Sequence, residues 1–432
     1  MKNYKSNVSE KLFIPVVELI KLKKFDEALK LLENLSDQNL DIVNKLKGSI
    51  YLNKKEWNKS LFYLTKVSNE SKNSKILNNI GVSLYKLGRY SDAINEFNQS
   101  IALDNTFLSA YENISLSYKQ LGNYSLSIEF SLKALNLSPK NIKMQNNLIE
   151  IFNYYKPHKL ENLIINLNDQ ISELDKLTIN NLIEKSFISN VLEKSEKILE
   201  KSNLNFLYPE TQIYRRNKTN LNCDRHFGIF NKHKVIPKYC FSCYKVQINL
   251  KNVYDLINLY FYFNRISLEN NNIRKCMVEL RKNVVGNYKG YLYARSIGEA
   301  KNLEKKIKQD LINSQINFEK IEIKHGCTEY YKEFELFKSI EKNTTDKIYQ
   351  KEWEVIEKEF DEKNSINEIN KEKIFNNTLN RYNLSDFLII KNWILYAKIL
   401  NDNSYQQIFK YSVNINHVSI KDIENIRMRA IN

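Results

Sequence analysis

Two short pairs of metal-binding residue types stand close together in the sequence: Cys223-Asp-Arg-His226, then thirteen residues, then Cys240-Phe-Ser-Cys243. A Cys-x2-His pair followed by a Cys-x2-Cys pair offers three thiolates and one imidazole to a tetrahedral ion, a donor set that suits structural zinc. Three further donors, Cys276, His325 and Cys327, follow downstream as alternates. An iron–sulfur cluster held by Cys223, Cys240, Cys243 and either Cys276 or Cys327 would use the same thiols. Reduced cysteines can also be small buried apolar side chains and nothing more. A nucleophilic pairing of Cys240 with His226 is a further use, because Arg215, Arg216 and Arg225 would depress a nearby thiol pKa. No Gly-rich phosphate loop, Gly-x-Ser-x-Gly elbow or His-Glu-x-x-His helix occurs in the chain.

These residues need elements to bring them together. From Tyr208 onward Pro209 and Pro237 appear, aromatics and arginines cluster, and helical periodicity stops until residue 252. Beyond it the patterning predicts strands at 244–250, 274–281, 288–295 and 318–324, with helices at 253–263 and 297–312. The order βαββαβ within about 80 residues is the ferredoxin-like arrangement, an antiparallel sheet with both helices on one face. In that arrangement Cys240 and Cys243 precede the first strand, Cys276 opens the second, and His325 and Cys327 follow the fourth, so all are expected at one end of the sheet. Strand alternation places Val246, Ile248, Val278, Leu280, Leu292 and Ala294 toward the helices. Lys245, Gln247, Met277, Arg281, Lys289, Tyr291, Tyr293 and Arg295 then point away.

That second face is basic and aromatic. The formal net charge is +16, and residues 201–300 carry 17 Lys and Arg against 6 Asp and Glu, so the charge is focused in this segment. Such focus suits an anionic partner. In the third strand, Lys289-Gly290-Tyr291 with Tyr293 resembles the strand signature of the RNA-recognition motif, in which alternate aromatics stack on bases. Leu292, Ala294 and Ser296 depart from that signature. The resemblance implies RNA on Lys289, Tyr291 and Tyr293, and the alternation and charge focus add Lys245, Arg281 and Arg295 to a site for RNA or another anionic ligand; the alternative is a face covered by other parts of this chain.

The first third of the chain is periodic. Residues 77–104 align with 111–138 at a shift of 34, Gly88 falling on Gly122 and Tyr90 on Tyr124. A period of that length means stacked helix pairs. More degenerate units precede them, with Trp57 and Phe25 at the aromatic position, giving four repeats over about residues 10–140. The Leu-Gly break, the following aromatic, Gly81, Ala93 and the closing Pro139 resemble the tetratricopeptide repeat (TPR). This resemblance implies an α-solenoid that binds a protein or peptide.

The whole chain of 432 residues is thus read as mainly α with one α+β domain. TPR-like repeats span 1–155, linking helices 156–207, the basic ferredoxin-like domain 208–330, and a helical region 331–432. In the last region Trp353, Ile356 and Phe360 form one stripe of a helix expected to be solvated, and an apolar helical pair at 384–411 is expected to pack back on the rest. Only 9 Gly and 5 Pro exclude an all-β fold. The apolar stretch near the N-terminus is broken by Glu18 and Lys21 and is followed by no cleavage site, which predicts a cytoplasmic protein with reduced thiols. The function expected is an interaction scaffold with a zinc-binding basic domain. The alternative is an enzyme with its site at the Cys/His-rich edge and repeats that recruit substrate.

Overall fold

The computed structural model describes residues 12–35, 39–157, 162–177, 185–281, 284–341, 344–368, 374 and 376–409. The chain divides into two compact units, residues 1–147 with 364–374, and residues 148–363 with 375–432.

The first unit is a run of helix pairs: α1 (Ile14–Lys21) with α2 (Phe25–Asn34), α3 (Leu40–Asn53) with α4 (Trp57–Thr65), α5 (Ser74–Lys86) with α6 (Tyr90–Leu103), and α7 (Leu108–Gln120) with α8 (Tyr124–Leu137). A ninth helix, α9 (Ile142–Ile151), follows them. Each pair turns on a residue with positive φ. In the two regular repeats this is Gly88 (81°) and Gly122 (70°), for which the left-handed region carries no Cβ penalty. In the two degenerate repeats Lys23 (59°) and Lys55 (61°) hold the same conformation. The contact between helices of a pair is equally regular. A Cβ on Gly48 would lie 2.5 Å from the Leu64 side chain, and one on Gly81 would lie 2.5 Å from the Phe97 ring. The fourth repeat breaks this rule by changing both partners together. Ser115 replaces the glycine and Ser131 the large apolar residue, and their hydroxyls meet at 2.7 Å beside Asn147, whose amide donates to Ser115 Oγ at 2.9 Å.

The second unit is built on five strands: β1 (Gln212–Arg215), β2 (Tyr244–Leu250), β3 (Arg274–Val278), β4 (Tyr288–Ala294) and β5 (Phe318–His325). They form one sheet in the order β1-β3-β4-β2-β5, with every neighbouring pair antiparallel. Edge strand β1 adds to the four strands read from sequence. β3 is also shorter than expected, so Leu280 and Arg281 lie past its end. Val246, Ile248, Val278, Leu292 and Ala294 are buried, as the alternation predicts, on the face that carries α13 (Val253–Arg265) and α14 (Ile297–Asn313). A Cβ on Gly290 would collide with Leu259, so β4 carries glycine where α13 presses on the sheet.

Further helices of this unit are α10 (Leu163–Glu173), α11 (Lys185–Ser202), α12 (Cys223–His233), α15 (Thr344–Ile348), α16 (Lys351–Glu368) and α17 (Leu384–Ile399). α12 lies where periodicity gave no helix, and α16 is not a freely solvated helix. Trp353, Ile356 and Phe360 pack with Ile229 and Phe230 of α12. Arg225 of α12 clasps Asp361 at 2.7 Å and Glu357 at 3.0 Å. The expected apolar pair at 384–411 is a single long helix, α17, followed by one helical turn at Ser404–Gln407, while residues 410 and 411 lie outside the described residues. α17 packs on β1 and β3, where Trp393 Nε1 donates to Thr211 O at 2.8 Å. Asp386, fully buried, accepts from Arg215 of β1 at 2.8 Å and from Tyr260 of α13 at 2.9 Å. Burying an ion pair is costly unless its remaining groups are satisfied, and Arg215 Nε donates to Asn264 Oδ1 at 2.7 Å.

Candidate functional site

The strand register assembles a polar face on the side of the sheet away from α13 and α14. Residues directly opposite on paired strands share a face, and here Lys245 pairs with Tyr293 and Lys324, Gln247 with Tyr291 and Glu322, and Lys275 with Tyr291 and Tyr214. Lys245, Gln247, Lys289, Tyr291 and Tyr293 therefore do lie together. They do not make the open platform that base stacking needs. Tyr291 is 6% exposed and Lys289 1%, and Gln247 is buried as well. Arg281 is held by Glu279 through two hydrogen bonds of 2.9 Å, and Lys289 lies 3.6 Å from the same carboxylate. Arg295, exposed at the rim, hydrogen-bonds to Thr219.

Two residues missed from sequence complete the face, Lys275 and Glu279. Their signal was the same period-two alternation that selected Lys289, read on the neighbouring strand. Among the described residues, neither Lys245 nor Lys275 has a carboxylate within 4 Å. Each ammonium instead lies near aromatic rings. Lys245 Nζ is 5.4 Å from the Tyr291 ring centre, and Lys275 Nζ is 4.9 Å from that of Tyr214. Burial lowers the pKa of Lys245 and pushes that of Lys275 down to about 8. An unpaired cation in such a place favours either loss of its proton or gain of an anion.

The cysteines converge only in part. Cys223 is the exposed first residue of α12, and Cys327 is the largest influence lowering its thiol pKa to about 7. Cys243 lies beside the loop after β5, where Gly326 N donates to Cys243 O at 2.8 Å and a Cβ on Gly326 would lie 2.5 Å from Cys243 Sγ. Cys240 turns toward the Tyr330 hydroxyl at 3.6 Å. Cys276 is elsewhere, on the helix-bearing face, where burial pushes its thiol up and Arg215 offsets this in part. His226 is buried and stacks on Tyr239 with ring centres 5.4 Å apart. His325 is sandwiched between Tyr244 and Phe337, its Nε2 3.1 Å from Ser339 O. Among the described residues, no group of three or more His, Cys, Asp or Glu stands where it could hold a metal ion. The physical reason is local. The Cys-x2-His pair lies in a helix whose apolar side packs on α16, so its imidazole is drawn into aromatic packing.

Burial, with a smaller contribution from Arg225, lowers the His226 pKa from 6.5 to about 4. A neutral folded-state imidazole stabilises the protein fully above pH 6.5, and this contribution is lost as pH falls toward 4, because the unfolded chain then binds the extra proton. Melting temperatures measured across that interval should fall less steeply for His226→Phe than for the parent chain.

Known families account for part of the first unit. The TPR repeat family matches residues 81–122 and the tetratricopeptide repeat family matches residues 108–141. Residues 81–141 are tetratricopeptide repeats. DnaJ homolog subfamily C member 7 from Homo sapiens is 30% identical over 102 residues, which are 23% of this chain and 21% of that protein. The Mus musculus protein of the same name is 29% identical over the same length. The chain thus spans about a fifth of these curated relatives. Among solved structures, a crystal structure of MamA is similar at 19% identity and a TM-score of 0.30, covering 31% of this chain and 81% of that one. The Arabidopsis OM64 TPR domain is similar at 21% identity and a TM-score of 0.25, covering 26% and 93%. Among the described residues no helix is long and apolar enough to cross a membrane.

Proposed function

We propose that the protein is an interaction scaffold whose tetratricopeptide repeats hold an extended segment of a partner protein. The observation that carries this is a double row of amides on the first helices of successive repeats. Asn78 and Asn146 recur in step with Glu112, and Asn79 and Asn113 recur one position later, each at the repeat spacing of 34. Amides donate and accept at once, so they match the alternating donors and acceptors of an extended backbone. The Asn113 amide already donates to Asn78 Oδ1 at 3.0 Å, which keeps the rows in register. Random twelve-residue peptides displayed on phage should be enriched by the immobilised full chain. Asn79→Ala with Asn113→Ala should weaken the selected peptides by about 1–3 kcal/mol, the cost of deleting polar partners, at unchanged melting temperature. Absence of enrichment, or binding indifferent to both substitutions, would exclude this reading.

For the second unit we read the sequence from β2 to β5 as ferredoxin-like with an added edge strand. The order β5-β2-β4-β3 and the alternation of helices between strands support that reading. Its polar face is proposed to take a small anion between Lys245 and Lys275, whose ammonium groups both lie near the Tyr291 ring. A long nucleic acid is disfavoured there, because the Tyr291 ring is covered.

A further inference from the structure

The two strands that flank β4 each send a lysine over the same ring. β4 lies between β3 and β2. Lys275 of β3 stands directly opposite Tyr291 of β4, and Lys245 of β2 stands at the next pair on that face, opposite Tyr293. Their ammonium nitrogens lie 5.7 and 5.4 Å from the Tyr291 ring centre. Among the described residues, neither ammonium has a carboxylate within 4 Å or a hydrogen-bond acceptor. Other cations of the face are compensated: Lys289 lies 3.6 Å from Glu279, which also accepts from Arg281, and Lys324 lies 2.7 Å from Glu322. Lys245, 8% exposed, is therefore a buried charge whose partner is missing. Building on the small-anion reading of this face, we propose that Lys245 and Lys275 receive a dianionic phosphoryl group, borne by a small aromatic monoester.

Charge decides the class of the anion. A carboxylate compensates one ammonium and leaves the other buried without a partner, which is costly. A phosphoryl dianion compensates both, and its terminal oxygens accept from the N–H donors of both ammonium groups. A phosphodiester, with one charge per phosphate, falls short as a carboxylate does, which separates this site from a nucleic-acid groove. Exposure sets the direction of entry. Lys245 and Tyr291 are buried, whereas Lys275, Tyr214 and Tyr293 are half-buried and Arg216 is exposed. Lys275 Nζ lies 4.9 Å from the Tyr214 ring centre, and the Arg216 guanidinium lies 4.5 Å from it. The phosphoryl group thus sits at the inner end. The organic part of the ester leaves past Tyr214, whose ring and neighbouring guanidinium suit a flat aromatic group.

Calorimetric titration of the full chain at constant ionic strength should show phenyl phosphate binding on the order of ten-fold more tightly than benzoate, because only the dianion satisfies both ammonium groups. Sulfate, which keeps two charges at every pH used, should exceed acetate in the same way. Lys245→Met and Lys275→Met should each remove this preference. Phenyl phosphate should also bind more tightly than inorganic phosphate, a margin that Tyr214→Ala removes. In the parent chain, with no substitution to disturb folding, sulfate should raise the melting temperature more than acetate does at equal ionic strength. Equal affinity for carboxylates and dianions would overturn the proposal and leave a small-anion site. Phenyl phosphate no tighter than inorganic phosphate would overturn the place given to the aromatic part. No binding of any of these ions, or binding indifferent to both lysine substitutions, would overturn the small-anion site as well.

Discussion

Replacing Asp386 by asparagine should destabilise the second unit by about 3–5 kcal/mol, the usual cost of removing one partner from a buried ion pair. The side chain keeps its shape, so the loss is electrostatic rather than a cavity. Arg215 cannot shed its proton, and without the carboxylate its guanidinium, 4% exposed, keeps only neutral acceptors: Asn264 Oδ1, the Tyr260 hydroxyl and backbone carbonyls. Arg215→Met together with Asp386→Leu should recover most of the loss, because an apolar pair of similar volume needs no compensation. Urea unfolding followed by tryptophan fluorescence reads both, since Trp393 lies on the same helix. A single variant within about 1 kcal/mol of the parent would mean that water reaches the guanidinium.

Phe97→Ala should cost the first unit about 3–5 kcal/mol. The ring is fully buried and covers Gly81, and it packs among Leu64, Ile80, Ala93, Ala110 and Ile114. The opposite error should also be punished. Gly81→Val would push a branched side chain into the ring and cost about 1–3 kcal/mol by overpacking. Circular dichroism during thermal unfolding should therefore show both variants melting earlier, with Phe97→Ala the lower. Equal melting for all three chains would remove the pairing of residue 81 with residue 97 as the organising contact of the repeat.

The helices of the first unit were legible because each repeat carries its own signals: Leu-Gly breaks, an aromatic after the turn, and small residues where helices touch. The four main strands of the sheet and their faces were legible for the same reason, since alternation is a local property. β1 was not, because its four residues, Gln212–Arg215, are too few to show a period. α12 was hidden by Cys223 and His226, whose spacing suits a chelating loop and a helical turn equally. Whether the polar face is open or covered is not decided by the sequence, because alternation says which way Lys289 and Tyr291 point and says nothing about what lies over them. The partnership of Arg215 with Asp386 spans 171 residues and leaves no trace in either neighbourhood.

That separation bears on how the chain is made. Helix pairs that rest on their sequence neighbours can form as they leave the ribosome, one after another. The sheet cannot finish in this way, because α17 supplies Trp393 against Thr211 and the counter-charge for Arg215 only after residue 386 and beyond have been translated. At about 5–20 residues per second, β1 waits for on the order of ten seconds or more with its arginine unpaired. During synthesis the second unit is therefore the part that closes last.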